Sequence, residues 1–271
     1  VNISNNKVRL ASYNVETLSV DNPENKREKL QALAESLKEI NADIVSLQEV
    51  PSEKDLNDFL KMSDLNKKYP YSSFCETNDQ YGHHMGILSQ YPIVETESNK
   101  NRRISTGSKG STNFCRDVAE TMIDVKGYPF RIYNVHFKAN PYFAGPDANS
   151  PEKLQKAVNK RAAEAREVKN IIAEDMRRLP SMHYVVTGDM NTTPDAPEIQ
   201  PLKQEDKTHV KLSDPLENLN GPEMNSHPVT NNRLDYIMLS PELAKGVVEG
   251  SPNVHHSENA NKASDHLGIY V

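Results

Sequence analysis

The stretch Val185-Val186-Thr187-Gly188-Asp189-Met190-Asn191-Thr192-Thr193-Pro194 decides how the rest of the chain is read. A β-branched apolar run ends at Gly188, two small polar groups follow at alternate positions, and Pro194 stops further regular pairing. This predicts a buried strand that ends at the rim of a site. In extended backbone Asp189 and Asn191 leave the same face, so a carboxylate and a carboxamide converge on one spot. The carboxylate can take a proton from water while the amide fixes that water or a substrate oxygen. A strand followed by an Asx turn would use the same Gly, Asp, Asn and Pro, so the stretch needs its neighbours to be interpreted.

Upstream, Leu154, Val158, Ala165, Ile172 and Met176 lie at helical spacing, which predicts a long helix from Pro151, capped by Ser150, to Arg178, with Lys and Glu on its remaining sides. Between Tyr71 and Phe137 the texture is β: YSSFCET, HHMGILS, PIVETES, NFCRDVAETMIDV and FRIYNVHF, with turn-rich pieces between them that favour antiparallel pairing. The chain begins with a strand in KVRLASYNV, then a helix with Asn22 as N-cap and Pro23 at its first position, carrying Leu30, Leu33, Ala34, Leu37 and Ile40 inward. ADIVSLQEV follows as a strand that delivers Glu49, and Ser52 starts a shorter helix. Beyond Pro194 come a weakly patterned region to Asn232, the strand RLDYIML and a last strand around His266 to Val271. This order predicts an α/β fold of two packed, mainly antiparallel sheets with helices outside.

The chain has 271 residues, enough to bury a sizeable core, and no linker divides it, so one domain spanning 1–271 is expected. With 36% hydrophobic and 26% charged residues and no apolar tract of membrane-spanning length, a soluble protein without stable membrane insertion is expected, as a monomer. Val1 rather than Met stands first, which is compatible with a removed signal peptide and a secreted or periplasmic location. The net charge of -6 argues against a protein coated in positive charge, so any polyanion must meet a local patch. Ser98 to Asn113 offers one, with Lys100, Arg102, Arg103 and Lys109 and no acidic residue; a solvated loop would read the same way. Cys75 and Cys115 could pair in an exported protein or stay as thiols in a reducing one.

Polar residues recur at the ends of apolar strands: Asn14, Glu49, His136, Asp189 with Asn191, Asp235, and Asp265 with His266. Each has a structural explanation on its own, such as an ion pair of Asp235 with Arg233 or a satisfied core His136. Together they place functional groups where α/β sandwiches gather them. The set holds hard oxygen donors and two histidines without thiolates, which suits Mg²⁺, with Mn²⁺ or Ca²⁺ as alternatives, over structural Zn²⁺. Glu49 leads as ligand, helped by Asn14 or Asp265. Phosphate esters suit such a kit, in which a metal polarises a phosphoryl oxygen and a carboxylate orients water.

ASYNVETL, DIVSLQE, NVHFKA, VVTGDMNTTP, RLDYIMLS and SDHLGIYV, in this order along the chain, resemble the endonuclease/exonuclease/phosphatase superfamily. That superfamily includes deoxyribonuclease I, abasic-site endonucleases, sphingomyelinases, inositol polyphosphate phosphatases and deadenylases. The resemblance implies a four-layer α/β/β/α sandwich and a metal-dependent phosphoesterase. It implies that Glu49 binds the metal with support from Asn14, that Asp189 orients or deprotonates water, and that Asn191 holds a phosphate oxygen. His266 would touch the scissile phosphate with Asp235 orienting its ring, Asp265 would be a second metal or water contact, and His136 would bind phosphate from the other side. A histidine at 136 points away from abasic-site repair within the superfamily.

Arg116, Lys138, Asn140 and His84 are candidates for flanking phosphates, and Arg102 and Arg103 in the basic stretch favour nucleic acid as substrate. A phospholipid, inositol-phosphate or small phosphoester hydrolase would use the same metal and water. For a lipid surface the one modest docking candidate is Asn140-Pro141-Tyr142-Phe143-Ala144-Gly145-Pro146, in a chain without Trp. A non-catalytic binding module on the same fold would have no need of the complete polar set.

Overall fold

Two sheets face each other across an apolar seam in the computed structural model, which describes residues 1–3, 5–17, 23–107, 110–141 and 150–271. The N-terminal half runs β1 (Asn2–Ile3), β2 (Asn6–Lys7), β3 (Leu10–Asn14), α1 (Pro23–Ile40), β4 (Ile44–Val50), α2 (Glu53–Met62), α3 (Leu65–Lys68), β5 (Tyr71–Cys75) and β6 (His84–Ser89). It continues as β7 (Ile93–Ser98), β8 (Ile104–Ser105), β9 (Ser111–Thr112), β10 (Val118–Val125) and β11 (Tyr128–His136). The C-terminal half holds α4 (Pro151–Arg178), β12 (His183–Asp189), α5 (Gln200–Lys203), β13 (Asp235–Leu239), α6 (Pro241–Lys245), β14 (Asn253–Val254), α7 (Glu258–Ala263) and β15 (Ile269–Tyr270).

One sheet has the order β14-β15-β3-β4-β6-β5 and the other β13-β12-β11-β10-β7. Each contains one parallel pair, β3 with β4 and β11 with β12, and is otherwise antiparallel, in agreement with the sequence reading. Strand side chains alternate between layers, as a period of two requires. Leu10, Ile44, Ile132, Val185 and Ile237 fill the seam between the sheets. Tyr13, Val45 and Leu47 pack outward against Leu33 and Leu37 of α1, whereas Tyr133, Val135 and Val186 pack against Ala165, Val168 and Ile172 of α4. The result is the expected α/β/β/α arrangement.

Along the seam the strand registers stack residues in steps. Leu10 lies beside Ile44 and Ile132 beside Val185; two residues on come Ser12 beside Ser46 and Asn134 beside Thr187; two further come Asn14 beside Gln48 and His136 beside Asp189. Hydrogen bonds from Thr187 to Ser46 and from Gln48 to Asn134, both 2.8 Å, join the sheets at the middle and outer steps. The seam therefore passes from apolar to neutral polar to ionisable, and its last step is the rim.

Several local expectations change. Ser150 does cap α4, accepting from Lys153 N at 3.3 Å, but Arg161, Glu164, Lys169 and Asp175 of that helix are buried rather than solvated. Their polar ends bind neighbouring loops and strands, so burial follows from partners rather than hydropathy. The strand expected from Arg233 begins at Asp235, and the last strand shortens to Ile269–Tyr270. Cys75 and Cys115 are free thiols. Asn22, Lys109 and Tyr142 to Pro146 lie outside the described residues. Among the described residues no helix is long and apolar enough to cross a membrane.

Candidate active site

Two backbone irregularities aim the acidic groups of the rim. Gln48 pairs with Met85 and Val50 with His84, so Glu49 is an extra residue in β4, at φ 65°. Such a bulge re-aims a side chain, and left-handed backbone at a non-glycine costs about 1 kcal/mol that the surrounding pairing must hold. Beyond β12, Asn191 takes φ 52°, and its N–H donates to Asp189 Oδ1 at 2.8 Å. The Asx turn weighed from sequence is thus present, and it is what fixes the carboxylate. Gly188, at φ 135°, lies so close to β11 that an added Cβ would meet Val135 O at 1.9 Å. Only glycine lets Asp189 reach this position.

Asp189 is the hub. Its Oδ2 accepts from Asn14 Nδ2 at 3.1 Å and faces His136 Nε2 at 3.4 Å and His266 Nε2 at 3.6 Å. Asn14 Nδ2 also donates to Glu49 Oε1 at 3.1 Å, and Thr17 donates to Glu49 Oε2 at 3.3 Å. His266 Nδ1 meets Asp235 Oδ2 at 2.8 Å, and Ser226 donates to the same oxygen at 2.6 Å. Asn191 Nδ2 donates to the carbonyl of Phe137 at 3.1 Å, which joins its loop to the end of β11.

Burial pushes the Asp189 carboxyl up to about 6, against the pull of the His266 charge. For His266 burial opposes the charge, but Asp235 and Asp189 overcome it and raise the imidazole to about 10. His136 is driven the other way, well below the ordinary histidine range, by complete burial and by Arg116, His83 and His266 nearby. Two histidines flanking one carboxylate therefore differ in state, one neutral and one cationic. The neutral ring can accept or relay a hydrogen bond, and the cation can offset negative charge or give up a proton.

The sequence-derived set divides in space. Asn14, Glu49, His136, Asp189, Asn191, Asp235 and His266 form one connected group. Asp265 lies instead beside His227, 3.7 Å from its Nε2, and no hydrogen bond or ion pair joins it to Glu49 among the described residues. Contact with His227 and the His266 charge hold the Asp265 carboxyl low against its burial. His227, Asp265 and His266 bring ligand-type atoms together, as do Asp189, Asp235 and His266. Neither is a natural metal cage. Thr230 N donates to His227 Nδ1 at 3.2 Å, which leaves the hydrogen of a neutral ring on Nε2, and Asp235 and Asp189 keep His266 protonated against its burial. Hard oxygens at Glu49, with Asn14 beside it, suit a divalent cation better.

Of the flanking cations, Arg116 is held by the Phe137 carbonyl at 2.9 Å and lies 3.3 Å from Asp79. Lys138 is exposed, while Asn140 accepts from Arg161 at 3.0 Å. Arg102 is already paired with Glu167 and Glu174 of α4, at 2.6 and 2.7 Å, and Lys100 with Glu76 at 3.1 Å. The acid-free stretch thus borrows its counter-charges from elsewhere in the chain. Among the described residues no carboxylate pairs with Arg103, whose donors go to Ser111 and Asn113. His84 accepts from Thr77 N at 3.0 Å and packs edge-on to Phe74. Its neighbour His83, which periodicity did not single out, reaches the rim instead, 3.8 Å from Glu49 Oε2.

Residues 11–266 match the model of a family described as the Endonuclease/Exonuclease/phosphatase family. No curated protein sequence matches the chain. Among solved structures, the human Nocturnin catalytic domain with bound sulfate anion is similar at TM-score 0.66 and 17% identity, over 97% of this chain and 92% of that one. Beta toxin from Staphylococcus aureus is similar at TM-score 0.62 and 19% identity, over 97% and 99%. Truncated Caenorhabditis elegans TDP2 is similar at TM-score 0.63 and 16% identity, over 97% and 95%.

Proposed function

Since the chain belongs to the endonuclease/exonuclease/phosphatase family, and so is a hydrolase of phosphoester bonds, we propose that it cleaves phosphodiesters of nucleic acid by direct attack of water. The observation that carries this reading is the Asp189 carboxylate held between Asn14, His136 and His266, with its other oxygen fixed by Asn191. Asp189 takes the proton of the attacking water. His136 and Asn191 hold non-bridging oxygens of the phosphate, and His266, kept charged and oriented by Asp235, offsets charge on the phosphate or protonates the leaving oxygen.

Glu49 would hold a divalent cation, Mg²⁺ with Mn²⁺ or Ca²⁺ as alternatives, with Asn14 beside it and Asp265 as an outer water contact. Bound there, the ion would supply Lewis-acid polarisation of a phosphoryl oxygen. Among the described residues no serine or cysteine side chain hydrogen-bonds to the Asp189 carboxylate or to the His136 or His266 ring, and Ser226 is spent on Asp235, which supports a single displacement without a covalent intermediate. Arg116, Lys138, Asn140 and Arg103 supply the flanking phosphate contacts, and Arg102 drops out of that role because α4 already neutralises it. Nucleic acid is favoured over lipid by the charges of Arg103 and Lys138, which pair with no carboxylate among the described residues.

Chelator-stripped protein, with and without Mg²⁺ or Mn²⁺, tests this on plasmid DNA, single-stranded RNA, sphingomyelin vesicles and a chromogenic phosphodiester. Metal-dependent nicking that is lost in Asp189→Asn is the expected result. Cleavage confined to vesicles or to the small diester would keep the chemistry and discard nucleic acid.

A further inference from the structure

Glu49 is faced by an imidazole nitrogen at each of its oxygens: His83 Nε2 lies 3.8 Å from Oε2, and His136 Nε2 lies 4.0 Å from Oε1. Both gaps are too long for hydrogen bonds. Two Lewis bases at such a distance are less than twice the ~2.1 Å of a typical metal–ligand bond apart, the span that one cation bridges.

His83 also has a carboxylate beside its other nitrogen: Nδ1 is buried and lies 3.2 Å from Asp79 Oδ1, an ion-pair contact without hydrogen-bond geometry. Asp79 beside Nδ1 would keep the ring hydrogen on that side once an ion displaces the proton from Nε2, which faces Glu49. Asp79 is fixed in turn: Tyr81 N and His83 N donate to its Oδ1 at 2.7 and 3.3 Å, and Arg116 approaches its Oδ2 at 3.3 Å. The loop from Asn78 is anchored by hydrogen bonds of Asn78 to Lys100 O and Phe114 O, at 2.6 and 3.0 Å. The ring is thus held toward Glu49 by a built chain of contacts running Arg116, Asp79, His83.

We propose that His83 is a nitrogen ligand added to the oxygen site at Glu49, and that it shifts the chain's preference from Mg²⁺ toward Mn²⁺ and other first-row ions that accept imidazole. The inference rests on the metal-dependent reading of the same site. Its chemical basis is that Mg²⁺ strongly favours oxygen, whereas imidazole raises the affinity of later divalent ions.

Mn²⁺ itself is the probe, added to chelator-stripped full-length protein and followed by electron paramagnetic resonance with detection of ¹⁴N couplings, beside calorimetric titration with Mn²⁺ and Mg²⁺. Wild type is expected to show the nitrogen coupling. His83→Ala and His83→Gln should lose it and bind Mn²⁺ about 10-fold more weakly or worse, with Mg²⁺ affinity nearly unchanged. The Gln variant keeps the loop filled if the Ala variant unfolds. Bound Mn²⁺ without a nitrogen coupling would overturn the inference and leave the hydrolase reading intact. So would a coupling that survives in both His83 variants and vanishes in His136→Ala. Failure of wild type to bind Mn²⁺ at all would overturn both readings.

Discussion

Under α4, Arg161 meets Glu198 at 3.0 Å, and Arg131 meets Glu120 at 2.5 Å and Asp175 at 3.7 Å, all buried. At the strand ends, by contrast, Glu49, Asp189 and Asp235 converge around amide and imidazole groups with no guanidinium in contact. In the first group every carboxylate touches a guanidinium, and the leftover donors of Arg161 go to Lys138 O and Asn140. The second is left with an acidic excess pointing to one spot. Carboxylates bonded to a guanidinium tie elements together, whereas carboxylates held by amides and imidazoles stay ready for something that arrives from outside.

Breaking each side should have opposite signatures. Asp189→Asn should lower turnover by about 10³-fold or more, equivalent to about 4 kcal/mol of transition-state stabilisation. Its urea midpoint should hold or rise, because a buried carboxylate is removed. Steady-state kinetics and urea titration check the two halves. Arg161→Met should do the reverse and cost about 3 kcal/mol of stability by stranding Glu198, with much of the loss recovered in the double variant with Glu198→Gln.

Arg102→Ala and Arg103→Ala sharpen the contrast at the surface. Arg102→Ala should cost about 1 kcal/mol in urea and leave the salt dependence of nucleic-acid binding alone. Arg103→Ala should leave stability alone and lower the slope of log affinity against log salt by about 1. The smallest effect concerns the thiols. Burial pushes Cys75 up to about 12, with Asp117 adding to it, and Cys115 up to about 11. Thiolate is therefore scarce in the folded state below those values and appears only as pH rises toward them. Iodoacetamide at pH 8 should react at least about 100-fold more slowly with folded than with urea-unfolded protein.

Much of this was legible in the sequence because it depended on local period. Alternation located the strands, and the polar residue at the end of each located Asn14, His136, Asp189 and Asp235. What escaped depended on partners distant in the chain. Nothing around Arg102 reveals that Glu167 and Glu174 will neutralise it, and the charges of Arg161 and Glu164 look like a solvated face until loops bond to them. His83 and His84 are adjacent, so they leave the backbone in different directions. Which one reaches the rim is settled by the anchored Asp79 turn, not by hydropathy. Asp265 follows from the sequence as a neighbour of His266, whereas its second neighbour, His227 at 3.7 Å, comes from a distant loop that no local pattern reveals.

The extra residue at Glu49 turns β4 into a ruler with one odd mark. Deleting a single residue there would restore an unbroken ladder between β4 and β6 and relieve a left-handed backbone position. Such a shortened chain should gain thermal resistance while its reactivity disappears. One residue of chain length at this position thus trades fold regularity against the placement of Glu49.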